Sequence, residues 1–313
     1  MAIAVVIGVP GAVVGYIIST EWVLRRVEPT RKAKIRPWLW VAPAFLFLII
    51  FLIYPTIRTL IISLMNARST EFVGFDNYLR LFGSDSFWQT LLNNALWIVF
   101  FTGFVVALGL LVAVLTDRVR YETIVKAAIF IPMAISFVAA GVIWSFMYNF
   151  DADIGTVNAA LGAVGVEPEP LLLEWPRNTF LLIIVGIWMW VGFAMVILSA
   201  GLKGISTELL EAARMDGANE FQVFLRIILP LLAPTIAVVA TTIVITALKT
   251  FDIVYVMTNG NYGTEVIGSL FYKEKFINGD DGASAAVAII LLLAIIPVML
   301  FNIRRFQAQE AIR

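Results

Sequence analysis

The side chains best suited to chemistry in this chain are few and mostly neutral. Trp188, Trp190 and Phe193 stand in one apolar stretch, and Thr242, Thr246 and Thr250 recur at a helical spacing of four in another. Rings beside hydroxyls suit a neutral, polyhydroxylated solute, whose C–H faces stack while its oxygens exchange hydrogen bonds. The same pattern also suits rings packed on lipid or neighbouring helices and threonines bonded to their own backbone, and spacing alone leaves both readings open. Lys249 and Asp252, three residues apart, are either a gate beside the threonines or an exposed helix-end pair. Cys and His are absent, which removes disulfides, thiolate chemistry, most transition-metal sites and the usual proton carrier near neutrality. No catalytic centre, metal site or bound cofactor is expected. The chain also lacks a Gly-rich phosphate loop ending in Lys-Ser or Lys-Thr, so it is not expected to bind ATP itself.

These residues need elements that hold them in lipid. A 313-residue chain that is 61% hydrophobic and 14% charged is too apolar for an ordinary soluble domain. Six stretches free of Asp, Glu, Lys and Arg reach the roughly 20 residues that a membrane-crossing helix needs. They cover 38–57, 95–115, 127–148, 180–202, 231–248 and 283–303. The predicted fold is therefore all-α and polytopic. A seventh stretch, 2–18, carries Gly8, Pro10, Gly11 and Gly15 and follows no basic residue, so it reads as an extra amino-terminal helix and not as a cleaved signal. Assigning alternate loops to opposite sides leaves Arg58, Arg68, Arg80, Arg177, Lys249, Lys273 and Lys275 on one face and the other 15 of the 22 basic residues, Arg118 and Arg313 among them, on the opposite face. That basic face is expected to be cytoplasmic, with the amino terminus outside.

The longer loops of the outer face run over 58–94, 149–179 and 249–282, and Pro168, Pro170 and Pro176 make the second irregular with at most a short helix. Trp22, Trp38, Trp40, Trp88 and Trp175 lie near span ends, where an indole anchors in the headgroup zone. Zero net charge gives no sign of a nucleic-acid partner. No ionisable residue lies inside a predicted span, which leaves a secondary transporter without its proton relay or counter-ion. A channel or secondary transporter is the alternative reading, and a membrane enzyme is disfavoured for want of converging nucleophiles or acids.

Between the fourth and fifth spans lies the loop 203–230, which reads as two short helices with a break. Ser206 or Thr207 can cap the first, over about 207–215, and Glu208 and Glu211 favour its positive end. Gly217 can take the left-handed conformation that ends it. Leu209, Leu210 and Ala213 share a face, and small Ala212 and Ala213 let a partner approach closely. A second helix over about 218–228 presents Phe221, Phe224, Leu225 and Ile228 before Pro230 breaks it. On periodicity alone the pair suits either a docking plug or an amphipathic hairpin on the bilayer surface.

This loop resembles the signature of the permease subunits of binding-protein-dependent ATP-binding-cassette importers: Glu-Ala-Ala, three residues, Gly, nine residues, Ile, one residue, Leu-Pro. Glu211, Ala212, Ala213, Gly217, Ile227, Leu229 and Pro230 match every specified position. The resemblance runs from about Trp38 to Arg305 and implies six core helices of the type I importer permease fold. Together with the amino-terminal stretch and the charge pattern above, it divides the chain into 1–37, an amino-terminal span with a basic cytoplasmic linker, 38–305, the transmembrane domain, and 306–313, a cytoplasmic tail. The loop is then a coupling helix for a cytoplasmic ATPase, with Leu209, Leu210, Glu211, Ala212, Ala213, Asp216, Gly217, Ile227, Leu229 and Pro230 as its residues. The partners implied are two ATPase subunits carrying ATP and Mg, a second permease subunit, an extracytoplasmic binding protein and the lipid bilayer of a prokaryotic inner membrane. Phe72-Val-Gly-Phe-Asp-Asn-Tyr78, Phe87-Trp88, Asn93-Asn94 and Phe251-Asp-Ile-Val-Tyr-Val-Met-Thr258 are similar to the branch that carries sugars and polyols. Asn259-Gly-Asn-Tyr-Gly263 departs from the Gly-Gly-Pro usual there. In the family the fourth and fifth spans line the path, which would place Trp188, Trp190, Phe193, Thr242, Thr246 and Thr250 along it.

Overall fold

Lipid supplies no hydrogen-bond partners, so an apolar stretch crosses it by bonding each amide to its own helix. The computed structural model describes residues 2–117 and 119–310; Arg118 and residues 311–313, which include Arg313 and the end of the expected tail, lie outside the described residues. Among the described residues every regular element is helical apart from one antiparallel bridge, Met65 to Phe72. The chain divides into two compact units, Met1–Ile61 and Ile62–Arg313.

In the first unit, α1 (Ala2–Arg25) contains the expected amino-terminal stretch and runs a further two turns beyond it. A three-residue elbow leads into α2 (Pro29–Leu48), so most of the expected basic linker is helix. A widened π-helical turn, Ile49–Ile53, joins α2 to α3 (Tyr54–Ile62), and the apolar run Arg31–Ile62 is continuous. Pro55 sits two residues past that turn. A proline lacks the N–H for the fourth carbonyl before it and its ring crowds that carbonyl, and a widened turn makes room for both defects.

The second unit opens with α4 (Asp76–Phe82) and α5 (Asp85–Leu96), which continues through a π turn, Trp97–Phe101, into α6 (Thr102–Thr116). The third expected span, 127–148, is not one straight helix. It is α7 (Glu122–Phe130), a 3-10 turn at Ile131–Ala134 and α8 (Phe137–Met147), bent by 98°. Pro132 interrupts the bonding, Ile135 is extended, and the Ser136 hydroxyl caps the new helix by accepting from the Ala139 amide at 3.2 Å. A short α9 (Thr156–Ala163) occupies the Pro-rich loop.

The long helix α10 (Arg177–Lys203) is the centre of this unit, with half of its apolar window buried. Its closest partner is α6. Gly109 makes that approach possible, because a Cβ there would stand 2.5 Å from the Ala194 Cβ. After α10 come α11 (Thr207–Met215) and α12 (Glu220–Val223), then a π turn at Phe224–Ile228 and α13 (Leu229–Leu248). Here too the sequence expectation needs correction: Pro230 breaks nothing, and Glu220–Leu248 is one continuous helical run. The widened turn absorbs Pro230 as the earlier one absorbs Pro55. The chain closes with α14 (Asp252–Thr258), α15 (Ile267–Tyr272), a π turn at Lys273–Ile277 and α16 (Asp281–Glu310). Trp97, Phe101 and Val105 join Leu182, Met189, Met195, Leu232 and Ile243 in the main buried cluster.

Candidate functional site

The α10–α13 loop is ordered by its own hydrogen bonds. Gly217 adopts φ +87°, the Ala218 amide donates to the Ala213 carbonyl at 3.1 Å, and the Gly217 amide donates to the Arg214 carbonyl at 3.1 Å. That pair of bonds is the Schellman arrangement, which satisfies carbonyls left open at a helix end. Ser206 is the residue before α11, and its side chain makes no capping bond. Asn219 and Gln222 form a reciprocal capping box on α12, with bonds of 2.9 and 3.0 Å. Arg214 donates to Glu220 at 2.7 Å across the break, which fixes α11 against α12.

No residue of α11 is buried. Leu209, Glu211, Ala212, Met215, Asp216 and Gly217 are exposed, whereas Leu210 and Ala213 are half-buried. The expected face of Leu209, Leu210 and Ala213 is thus divided, and the outward surface runs through Leu209, Ala212 and Met215, the last 87% exposed. Ile227 and Leu229 are half-buried and Pro230 is exposed. At the junction with α10, Lys203 donates to the Glu122 carboxylate at 2.6 Å, and Lys126 bridges that carboxylate and the Ser199 hydroxyl. The start of α7 is therefore tied to the end of α10 where the loop begins.

A cavity of about 310 Å³ lies among α8, α10, α13 and α14 and the π turn before α6. It is lined by Trp97, Phe101, Phe137, Gly186, Trp190, Ile245, Thr246, Lys249, Thr250, Phe251, Asp252 and Ile253. Of the six path residues expected, Trp190, Thr246 and Thr250 reach it. Trp188 instead meets Trp144 edge-on at 5.7 Å, Phe193 meets Trp190 at 5.4 Å, and the Thr242 hydroxyl donates to the Val238 carbonyl at 3.0 Å. Thr246 and Thr250 also donate to their own helix, at 2.9 and 3.4 Å, and keep acceptor lone pairs free. Trp97, Phe101, Phe137 and Phe251 were not expected at the site. An aromatic residue in an apolar span carries no mark of which way it faces. Lys249 and Asp252 both line the cavity, and among the described residues neither closes an ion pair.

Beyond the cavity, at the Arg177 end of α10, buried amides pin the loops. Asn93 donates to the carbonyls of Gly263 and Glu265 at 2.6 and 2.8 Å and accepts from the Trp175 indole at 3.0 Å. Trp175, expected only as a headgroup anchor, is therefore part of this network. Asn178 donates to the Tyr262 carbonyl at 2.8 Å, Asn94 accepts from the Ile267 amide at 2.7 Å, and Asn158 donates to the carbonyls of Asn149 and Glu169 at 2.8 and 3.0 Å. The segment that departs from the Gly-Gly-Pro pattern is a tight turn with positive φ at Asn259, Gly260, Tyr262 and Gly263. Just past it, burial pushes the Glu265 carboxyl above its ordinary range, against the opposing pull of Lys273.

Comparison with known proteins agrees with this architecture. Residues 106–304 match the family described as the binding-protein-dependent transport system inner membrane component. An osmoprotective compounds uptake permease protein of Synechocystis sp. is 50% identical over 279 residues, covering 88% of this chain and 100% of that protein. An alpha-glucoside transport system permease protein of Rhizobium meliloti is 44% identical over 276 residues, covering 87% and 82%. A chain in the crystal structure of a bacterial ABC transporter that imports the acidic polysaccharide alginate superposes with TM-score 0.76 at 25% identity, covering 88% of this chain and 98% of that one. With its loop motif and its helical order both matched, the chain belongs to the family of binding-protein-dependent transport system inner membrane components, the permease subunits of ATP-binding-cassette importers.

Proposed function

We propose that this permease passes a small neutral sugar or polyol, of the size of a mono- or disaccharide, through the cavity beside Trp190. The observation that carries the reading is the lining itself. Five aromatic side chains, Trp97, Phe101, Phe137, Trp190 and Phe251, surround the hydroxyls of Thr246 and Thr250, with one cation and one anion adding no net charge. A volume of about 310 Å³ suits a small solute, being at the low end of the roughly 300–1,000 Å³ of ligand sites. The Synechocystis relative is described by osmoprotective compounds and the Rhizobium meliloti relative by alpha-glucosides. A small neutral glycoside satisfies both descriptions.

In this reading the α10–α13 loop faces the cytoplasm of a prokaryotic cell and the amino terminus lies outside. Leu209, Leu210, Glu211, Ala212, Ala213, Asp216 and Gly217 seat in an ATPase subunit, while Ile227, Leu229 and Pro230 carry its displacement into α13. Two ATPase subunits bind and hydrolyse ATP with Mg, a second permease subunit completes the path, and an extracytoplasmic binding protein delivers the solute. The Glu122–Lys203 contact gives the displacement a second route, into the bent span α7–α8. In the reconstituted transporter, Trp190→Ala is expected to lower uptake of labelled alpha-glucosides by about tenfold, the loss of one ring contact of ~1.5 kcal/mol, with ATPase assembly unchanged. Thr246→Ala should act in the same direction. Undiminished uptake in both variants removes the cavity from the path.

A further inference from the structure

Away from the cavity and the α10–α13 loop, the densest charge lies at the elbow between α1 and α2. Arg25, Arg26, Arg31, Lys32, Lys34 and Arg36 fall between positions 25 and 36, with Glu21 and Glu28 the acids beside them. Of these six, among the described residues, Arg36 alone closes an ion pair, with Glu21 at 3.5 Å, and that pair ties the hairpin together. All but the half-buried Lys32 are exposed. Arg25 suits the negative end of α1, but the first turn of α2 contains no acid and holds Arg31, where the helix dipole repels a cation. The hairpin therefore gathers six cations against two acids, and most of that positive charge has no partner within it.

Apolar and amphipathic groups sit directly beside this charge. The Arg26 guanidinium lies 3.6 Å over the Trp22 ring. Ile17, Ile18, Glu21, Trp22 and Arg25 line a cleft of about 270 Å³, with the isoleucines on the side of the apolar part of α1 and Arg25 towards the elbow. Glu21 is already engaged by Arg36, so the cleft presents an apolar wall, an indole and the Arg25 guanidinium, with Arg26 stacked on that indole beside it. An acyl chain can lie along the isoleucines while a phosphodiester takes the forked donors of the arginines. We propose that the α1–α2 elbow is a binding site for the headgroup of an anionic phospholipid of the surrounding bilayer.

The test uses the assembled transporter in nanodiscs of phosphatidylcholine mixed with phosphatidylglycerol, with the lipids that remain bound after detergent extraction read by native mass spectrometry. Phosphatidylglycerol is expected to be retained in preference to phosphatidylcholine. At about fivefold per basic residue near the surface, Arg25→Gln with Arg26→Gln should lower its retention by at least tenfold. Trp22→Ala keeps every charge and should still lower retention several-fold, because the cleft loses the ring that holds Arg26. ATPase co-purification, measured for each variant, confirms that the complex has assembled. Retention unchanged in both variants overturns the proposal. Loss in the arginine variant with full retention in Trp22→Ala also overturns it, since that is diffuse attraction and not a site. Displacement of the lipid by millimolar inorganic phosphate identifies a free-anion site and overturns the lipid assignment.

Discussion

Asn93 joins three segments through one amide. Its nitrogen serves the Gly263 and Glu265 carbonyls and its oxygen serves the Trp175 indole, so α5, the turn after α14 and the stretch of chain before α10 meet at one buried point. An alanine there leaves two carbonyls and an N–H without partners, each worth ~1–3 kcal/mol when buried and unpaired. Asn93→Ala is expected to destabilise the protein by about 3 kcal/mol, read as a fall in the thermal midpoint of the detergent-solubilised transporter. A shift within ~0.5 kcal/mol, the range of ordinary surface changes, would show that water takes the amide's place. An asparagine pair such as Asn93-Asn94 is visible in the sequence, but the backbone groups it serves, carbonyls for Asn93 and an amide for Asn94, lie about 170 positions away in the chain, so its role is not.

At the level of elements, α11 was legible because its signals are local. Gly217, Glu208 in the first turn and the small residues between them specify a short helix and its stop without reference to anything distant. Its outward face was not legible, because adjacent Leu209 and Leu210 look alike in the sequence, and only the packed structure leaves the first exposed and the second half-buried. Gly217→Pro cannot adopt φ +87°, since its ring holds φ near −65°. It is expected to insert normally in the membrane yet lower ATPase co-purification by about tenfold or more, as is Leu209→Asp, which leaves the backbone intact. Retained co-purification in both variants rules out docking through this helix. The prolines teach the same lesson: Pro55 and Pro230 are absorbed by π turns, whereas Pro132, followed by an extended residue and the capping Ser136, bends its span by 98°.

For the molecule as a whole, the approach of α6 to α10 sets the frame around which the second unit is built. Gly109→Val would place its Cβ only 2.5 Å from the Ala194 Cβ, with two further methyl groups beyond it, and neither helix can yield without shifting Trp97 or the cavity wall. The expected loss is ~1–3 kcal/mol of stability, measured by thermal unfolding of the purified complex. An unchanged midpoint would mean that these helices stand further apart in the assembled transporter.

Spans, charge-free interiors and the Glu211-to-Pro230 motif followed from residues close together in the chain, because helix formation, capping and lipid partitioning depend on neighbours within a few turns. The bend at Ile135, the buried asparagine network and the membership of the cavity did not. Trp97, Phe101, Phe137 and Phe251 resemble every other ring in an apolar span until the helices are brought together. Which ring faces a cavity is a property of helix rotation and crossing, and those depend on close contacts such as Gly109 against Ala194 between residues far apart in the chain.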